Sequence, residues 1–244
     1  MTTDATAMLL ASPRPAKPRK ADDAYERLKR LIVNLSLPPG KLLDERTLMT
    51  TLDIGRTPLR EAIQRLTMEQ LVTSLPRRGY YVSELSITEL GEMIVAREVL
   101  EPQVARMAAS NITADEIAYL RRIVDETIGR LRYNDFETSL YHDLEFHRTV
   151  AHASRNRYLE TAVNQINTGL LRYWYISFSM GGFLNPTFAH HTQLIDVLET
   201  RDADLVEKMM HEHVERFRNR MSHVVWDGSS VVGTIGRRIM TRSP

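Results

Sequence analysis

Residues 44–82 read DERTLMTTLDIGRTPLREAIQRLTMEQLVTSLPRRGYYV, and this stretch decides the fold. Asp44 stands as an N-cap before a short run carrying Leu48 and Leu52, which predicts a short second helix. Asp53-Ile54-Gly55 breaks it. From Arg56 to about Gln70, Leu59, Ile63 and Leu66 recur at helical spacing, and Pro58 falls in the first turn, where a missing N–H does no harm. Leu71 to Val82 holds two β-prone runs around a Pro76-Arg77-Arg78-Gly79 turn, a hairpin signal. Upstream, Tyr25, Leu28, Leu31, Ile32 and Leu35 mark a first helix of about four turns, stopped by Pro38-Pro39-Gly40. Three helices followed by a hairpin predict a winged helix-turn-helix over residues 21–84.

Beyond Glu84 the strand signals stop. Helical periodicity covers roughly 87–109, 113–133, 136–153, 156–179, 187–199 and 202–222, so residues 85–223 are expected to form an all-α bundle. The fold class is therefore mainly α, an N-terminal winged helix-turn-helix joined to a helical bundle. Residues 1–20, with proline at every second or third place in Pro13–Lys20, are expected to be a disordered basic arm. Residues 224–244 are expected to be a flexible tail.

Composition narrows the function classes. The 244 residues contain no cysteine, which excludes a disulfide scaffold, thiolate zinc fingers and cysteine catalysis together. No apolar run approaches the roughly 18 residues of a spanning helix, and Met1–Leu10 lacks the basic start and cleavage pattern of a secretory signal. No membrane association is expected, and the cytoplasm is the natural compartment. The formal net charge of +1 conceals an asymmetry: residues 1–84 carry 14 Lys and Arg against 10 Asp and Glu, and residues 85–223 carry 15 against 20. A basic first unit joined to an acidic second one suggests a polyanion partner for the first.

Within a helix-turn-helix, the start of the second helix enters the major groove, so it must offer long donors for guanine edges and short polar groups for phosphates. Gly55-Arg56-Thr57-Pro58-Leu59-Arg60-Glu61 supplies them. Arg56 and Arg60 are one turn apart on one face and can each fork onto a guanine, while Thr57 and the helix N-terminus hold a phosphate. Arg46 is placed to touch the backbone or groove edge, and Arg77-Arg78-Gly79 at the wing tip can reach the flanking minor groove.

The segments Ala24–Lys29, Leu37–Gly40, Asp44–Leu48, Arg56–Leu66 and Arg77–Val82 together resemble the DNA-binding domain of the GntR family of transcription regulators. The resemblance implies DNA contacts at Arg46, Arg56, Thr57, Arg60 and the wing glycine, Gly79. It departs from the family at Gly55, where a capping Ser or Thr is usual, and at Leu35-Ser36, which replaces a common glycine turn.

In the second half, four ionisable residues lie on apolar helix faces, where an unpaired charge is costly. Asp143 and His147 are i,i+4 on the helix that carries Phe136, Leu140, Leu144 and Ala151. His191 belongs to the stripe Phe188, His191, Ile195, Leu198, and His213 to Val206, Met209, His213, Phe217. The last two helices meet at Thr200-Arg201-Asp202, so the two imidazoles come out nearly level in an antiparallel pair. One carboxylate and three imidazoles converging in a helical core suit a divalent metal ion such as zinc, nickel or manganese. Arg97 shares an inward face with Leu90, Ile94, Leu100 and Val104; it can clamp a carboxylate ligand beside the metal, or pair with Glu101 one turn on. Tyr173, Trp174 and Tyr175 are read as packing or dimer contacts.

Residues 88–222 are similar to the FCD ligand-binding domain of the FadR-type branch of that family, through Asp143-Leu-Glu-Phe-His147, Ser154-Arg-Asn156, His191 and Asp202-Ala-Asp204 leading to His213. The resemblance implies metal ligands at Asp143, His147, His191 and His213. It departs at Arg157 and in the insertion-like Ser179–Gly182. What it implies overall is a homodimeric repressor that binds a double-stranded, palindromic operator and responds to a small organic acid.

A metal-dependent phosphohydrolase is the alternative suggested by the dipeptide His142-Asp143. Against it, His142 points about 100° away from Asp143 round the helix. No Glu or Lys shares the metal stripes as an evident general base, and a hydrolase has no need of a winged helix. The expected protein is not an enzyme.

Overall fold

The computed structural model describes residues 20–131, 136–179 and 184–226. The expected arm and tail lie outside these residues except for Lys20 and 224–226, and of Ser179–Gly182 only Ser179 lies within them.

The first unit is a three-helix winged fold. Helix α1 spans Lys20–Val33, α2 Glu45–Leu52 and α3 Arg56–Met68, followed by β1 (Val72–Leu75) and β2 (Gly79–Val82). The strands pair antiparallel, Val72 opposite Val82 and Leu75 opposite Gly79. The Asp44 carboxylate accepts from the Thr47 amide at 2.7 Å and caps α2, whereas α3 starts on Gly55 with no side-chain cap. Leu28, Ile32, Leu59, Ile63 and Leu66 form its sealed core with Leu43, Val72 and Val82.

Two features of this unit escape periodicity. The segment before α2 lines up beside the wing, with the Val82 amide donating to the Lys41 carbonyl at 2.9 Å and the Leu43 amide to Tyr80 at 2.8 Å. Leu35, expected as the last apolar position of the first helix, lies beyond its end in the left-handed region at φ 59°. Helices α1 and α3 are also locked by a buried polar knot. Lys29 donates to Tyr25 at 2.9 Å and to Glu69 at 3.2 Å, and the Tyr25 hydroxyl donates to Glu69 at 2.6 Å. Burial lowers the Lys29 pKa and raises that of Tyr25, so Glu69 is the partner that makes both tolerable inside.

The second unit holds α4 (Ile87–Asn111), α5 (Ala114–Leu131), α6 (Phe136–Ala153), α7 (Arg157–Ser179), α8 (Leu184–Thr200) and α9 (Ala203–Trp226), the last running four residues past its expected end. Its largest apolar cluster joins Ala105, Ala108, Leu120, Phe146, Leu194, Leu198, Val206 and Val214. Two helices end in left-handed arginines that reach the C-terminus of α4: Arg201 donates to the carbonyls of Ala109 and Ile112, and Arg155 to that of Asn111. Cations at this end complement the helix dipole.

A further cluster crosses between the units. Val33 of α1 is fully buried among Leu90, Ile94, Leu140, Leu144, Leu170 and Trp174. The connecting segment is held by α7: Arg172, itself buried, donates to the carbonyls of Ser83 and Glu84. No helix among the described residues is long and apolar enough to cross a membrane.

Candidate DNA-reading surface and metal centre

Arg46, Arg56, Thr57, Arg60, Arg77, Arg78 and Gly79 are all exposed. Arg56, Thr57 and Arg60 lie in the first turns of α3, and the left-handed Arg77 (φ 61°) and Gly79 (φ 100°) shape the wing tip. Arg60 does not pair with Glu61 or Gln64. Its Nε donates to both oxygens of Glu45 on α2, at 3.1 and 3.3 Å, so the Glu45 contact uses Nε and not the two terminal nitrogens, which can each donate elsewhere. Glu45 was not singled out in the sequence because its partner lies fifteen residues on, across the turn.

The four buried residues of the helical unit come together. One ligating nitrogen from each of His147, His191 and His213 lies within 4.8 Å of the others. Asp143 Oδ1 is 3.5 Å from His191 Nε2, and Oδ2 is 3.9 Å from His147 Nε2. The His191 and His213 rings are 4.7 Å apart, level as the antiparallel reading of α8 and α9 expects. His191 is fixed by stacking on Phe146 at 4.0 Å.

Electrostatics suit these groups to a cation. Burial pushes the Asp143 carboxyl up to about 6, against the pull of His147 and Arg97. Burial, followed by the charges of neighbouring imidazoles and Arg97, holds His191 and His213 far below the ordinary histidine value. Both are thus neutral, the form that ligates metal. Both Asp143 oxygens are sealed from solvent and make no hydrogen bond, an arrangement that a buried carboxylate sustains only with a compensating positive charge. Ligand distances of about 2.0–2.2 Å to a tetrahedral ion put donor atoms about 3.3–3.6 Å apart; His147–His213 at 3.3 Å and Asp143–His191 at 3.5 Å match this, while Asp143–His147 is wider at 3.9 Å and Asp143 stands outside the mutually close group of the three imidazoles. The donor set fits a divalent ion.

Arg97 makes the expected pair with Glu101, its Nε donating to Oε1 at 2.7 Å, and one terminal nitrogen lies 2.8 Å from His147 Nε2. Its other terminal nitrogen is buried with no hydrogen-bond partner. The guanidinium lies over Phe217 at 4.8 Å and Trp174 at 5.2 Å, so Trp174 borders this polar cluster as well as packing in the core. His142 turns out of the cluster, its Nδ1 2.6 Å from the Thr127 hydroxyl.

The sequence named Glu101 only as a partner for Arg97, and it missed Asn167, Arg220 and His190. Glu101 Oε2 lies 3.0 Å from His147 Nδ1, and Asn167 donates to its Oε1 at 2.9 Å. Burial would raise this carboxyl, but Arg97 and His147 outweigh it and hold it well below the usual carboxylate range. A carboxylate does therefore stand beside the metal stripes, although held as a strut. His190 Nδ1 lies 3.3 Å from His213 Nδ1. Arg220, two turns beyond His213 on α9, is half-buried and interacts electrostatically with Asp143. The doublet His190-His191 was the available signal for the third. The others depend on contacts between helices.

Comparison with known proteins accounts for both units. Residues 20–82 match the model of bacterial regulatory proteins of the gntR family, and residues 92–216 match the FCD domain model. The chain is 26% identical over 208 residues to the HTH-type transcriptional repressor RspR of Escherichia coli K12, covering 84% of this chain and 90% of the relative. It is 25% identical over 203 residues to the gluconate operon transcriptional repressor of Bacillus licheniformis, covering 80% and 82%. Its fold is similar to that of E. coli McbR/YncC, with a TM-score of 0.74 at 19% identity over 85% of this chain and 99% of that one. These relatives are transcription regulators and not enzymes, which removes the phosphohydrolase alternative. The chain belongs to the GntR family: it is a DNA-binding transcription regulator whose helical unit is an FCD domain.

Proposed function

We propose that the protein is a metal-assisted repressor that senses a small carboxylate metabolite. Two copies present their winged helices to the half-sites of a palindromic operator. Arg56 and Arg60 read guanines, Thr57 and Arg46 hold the backbone, and the Gly79 turn brings the wing to the flanking groove. The homodimer is supported by α4, whose outer face exposes Ile87, Val95 and Val99 by 57%, 60% and 64%, an apolar stripe suited to a second copy. Residues 21–84 act as the reader and 85–223 as the sensing and dimerising part.

Asp143, His147, His191 and His213 would hold the ion, which when bound supplies a Lewis-acidic position for a ligand oxygen. The observation that carries this reading is the sealed Asp143 carboxylate, without a hydrogen bond, beside the three clustered imidazoles of His147, His191 and His213. Arg97, with one buried nitrogen unbonded, supplies a donor for the acid's second oxygen. One similar repressor is named for a gluconate operon, and gluconate is a hydroxy acid of this chemical class. The route to the reader runs along α7: Trp174 borders the polar cluster, while the preceding Tyr173 and Arg172 hold residues 83–86. A ligand that favours one arrangement of that linker shifts operator affinity by its differential binding.

The test is anisotropy binding to an operator fragment, with and without zinc, nickel or manganese and a panel of organic acids. A metal-dependent loss of affinity with one acid supports the reading. Operator binding indifferent to every combination would contradict it.

A further inference from the structure

His190 is buried beside the four proposed ligands, yet it faces away from their common centre. Neighbours on a helix project about 100° apart, so while His191 turns to Asp143, His190 meets the far side of His213. His213 uses both ring nitrogens: Nε2 faces His147 Nε2 at 3.3 Å, towards the centre, and Nδ1 faces His190 Nδ1 at 3.3 Å.

An imidazole that gives Nε2 to a metal carries its proton on Nδ1, and that N–H needs an acceptor. We propose that His190 is that acceptor, a positioning residue that holds His213 in its metal-ligating tautomer and orientation; this rests on the metal reading above. To accept at Nδ1, His190 must be neutral with its own proton on Nε2.

The two partners of the site then differ in kind. His147 has a carboxylate behind it, Glu101 Oε2 at 3.0 Å from its Nδ1, whereas His213 has a neutral ring. A carboxylate pushes more electron density through its imidazole than a neutral acceptor does. His213 would thus be the weaker donor, and loss of the outer support that His190 gives it would weaken the whole site.

The experiment titrates the full-length protein with cobalt(II), following its visible absorption, in wild type, His190→Phe and His190→Gln. Phenylalanine keeps the ring's bulk without an acceptor, and the glutamine amide oxygen can accept. Outer-partner loss typically weakens metal binding about 10- to 100-fold, and that loss is expected for His190→Phe, with the saturated spectrum and stoichiometry kept because the four ligands remain. His190→Gln is expected to recover most of the affinity. His190→Phe binding cobalt as tightly as wild type, or His190→Gln as weakly as His190→Phe, would each overturn the assignment. If wild type itself takes up no cobalt, the metal reading fails and this proposal fails with it, a pattern distinct from the other two.

Discussion

The Tyr173 hydroxyl both accepts from the Ser86 amide at 2.9 Å and donates to the Ser86 carbonyl at 3.0 Å. Ser86 is the N-cap of α4, its own hydroxyl accepting from the Glu89 amide, and α4 carries Arg97 and Glu101 into the polar cluster. One phenol on α7 therefore fixes the junction between reader and sensor. Tyr173→Phe leaves both backbone groups without that partner, at a cost of about 1–3 kcal/mol. Chemical denaturation should show the loss, and amide exchange at Ser86 should rise. Unchanged exchange there would mean that the junction is held by something else.

Arg172, beside it, is 2% exposed and donates to backbone carbonyls, with no ion pair to a carboxylate among the described residues. Burial lowers its pKa, against the pull of Tyr173, Glu89 and Glu84. A buried guanidinium without a directly paired carboxylate is expensive, so Arg172→Met should cost little stability or even raise it. The same change frees the Ser83–Glu84 linker. Limited proteolysis at residues 83–86 is expected to quicken in this variant. Equal rates would show that Arg172 does not restrain the linker.

On the DNA side, Arg60→Ala should lower specific operator affinity by roughly 1–3 kcal/mol while changing binding to scrambled DNA much less. Glu45→Gln keeps the hydrogen bond but loses its charge, and should relax base preference by a smaller factor. Parallel titrations at one salt concentration measure both. Equal losses on specific and scrambled DNA would assign Arg60 to phosphate instead.

Leu35 adopts φ 59°, a conformation that costs a β-carbon residue about 1–2 kcal/mol and glycine almost none. Leu35→Gly should therefore stabilise the reader by up to about 1 kcal/mol. A lower melting temperature would show that the side chain's packing outweighs its backbone strain.

Why some of this was legible in the sequence follows from the distances along the chain. The helices and hairpin were readable because Leu59, Ile63 and Leu66, or Leu140, Leu144 and His147, repeat within one element. The clustering of the four proposed metal ligands was readable for the same reason, each being a polar residue on an apolar stripe. Arg97–Glu101 is an i,i+4 pair and was foreseen, but the contact of Glu101 with His147 joins two helices and was not. Arg172 shows the limit most clearly: its carbonyl partners lie 88 and 89 residues away, and no local pattern marks a buried arginine that binds only backbone. The left-handed Leu35 was hidden by its hydrophobicity, which matched the period of the helix it follows.

The most direct test of the sensing account is the metal content of the purified, untagged protein, with a thermal-shift screen of organic acids on the metal-loaded form. The account predicts a single divalent ion per chain, lost together with its stabilising effect in His147→Ala and His213→Ala, and at least one carboxylate that raises the melting temperature only when metal is present. A wild-type protein that holds no metal, either as purified or after reconstitution, would contradict it and reduce the four buried residues to a polar core.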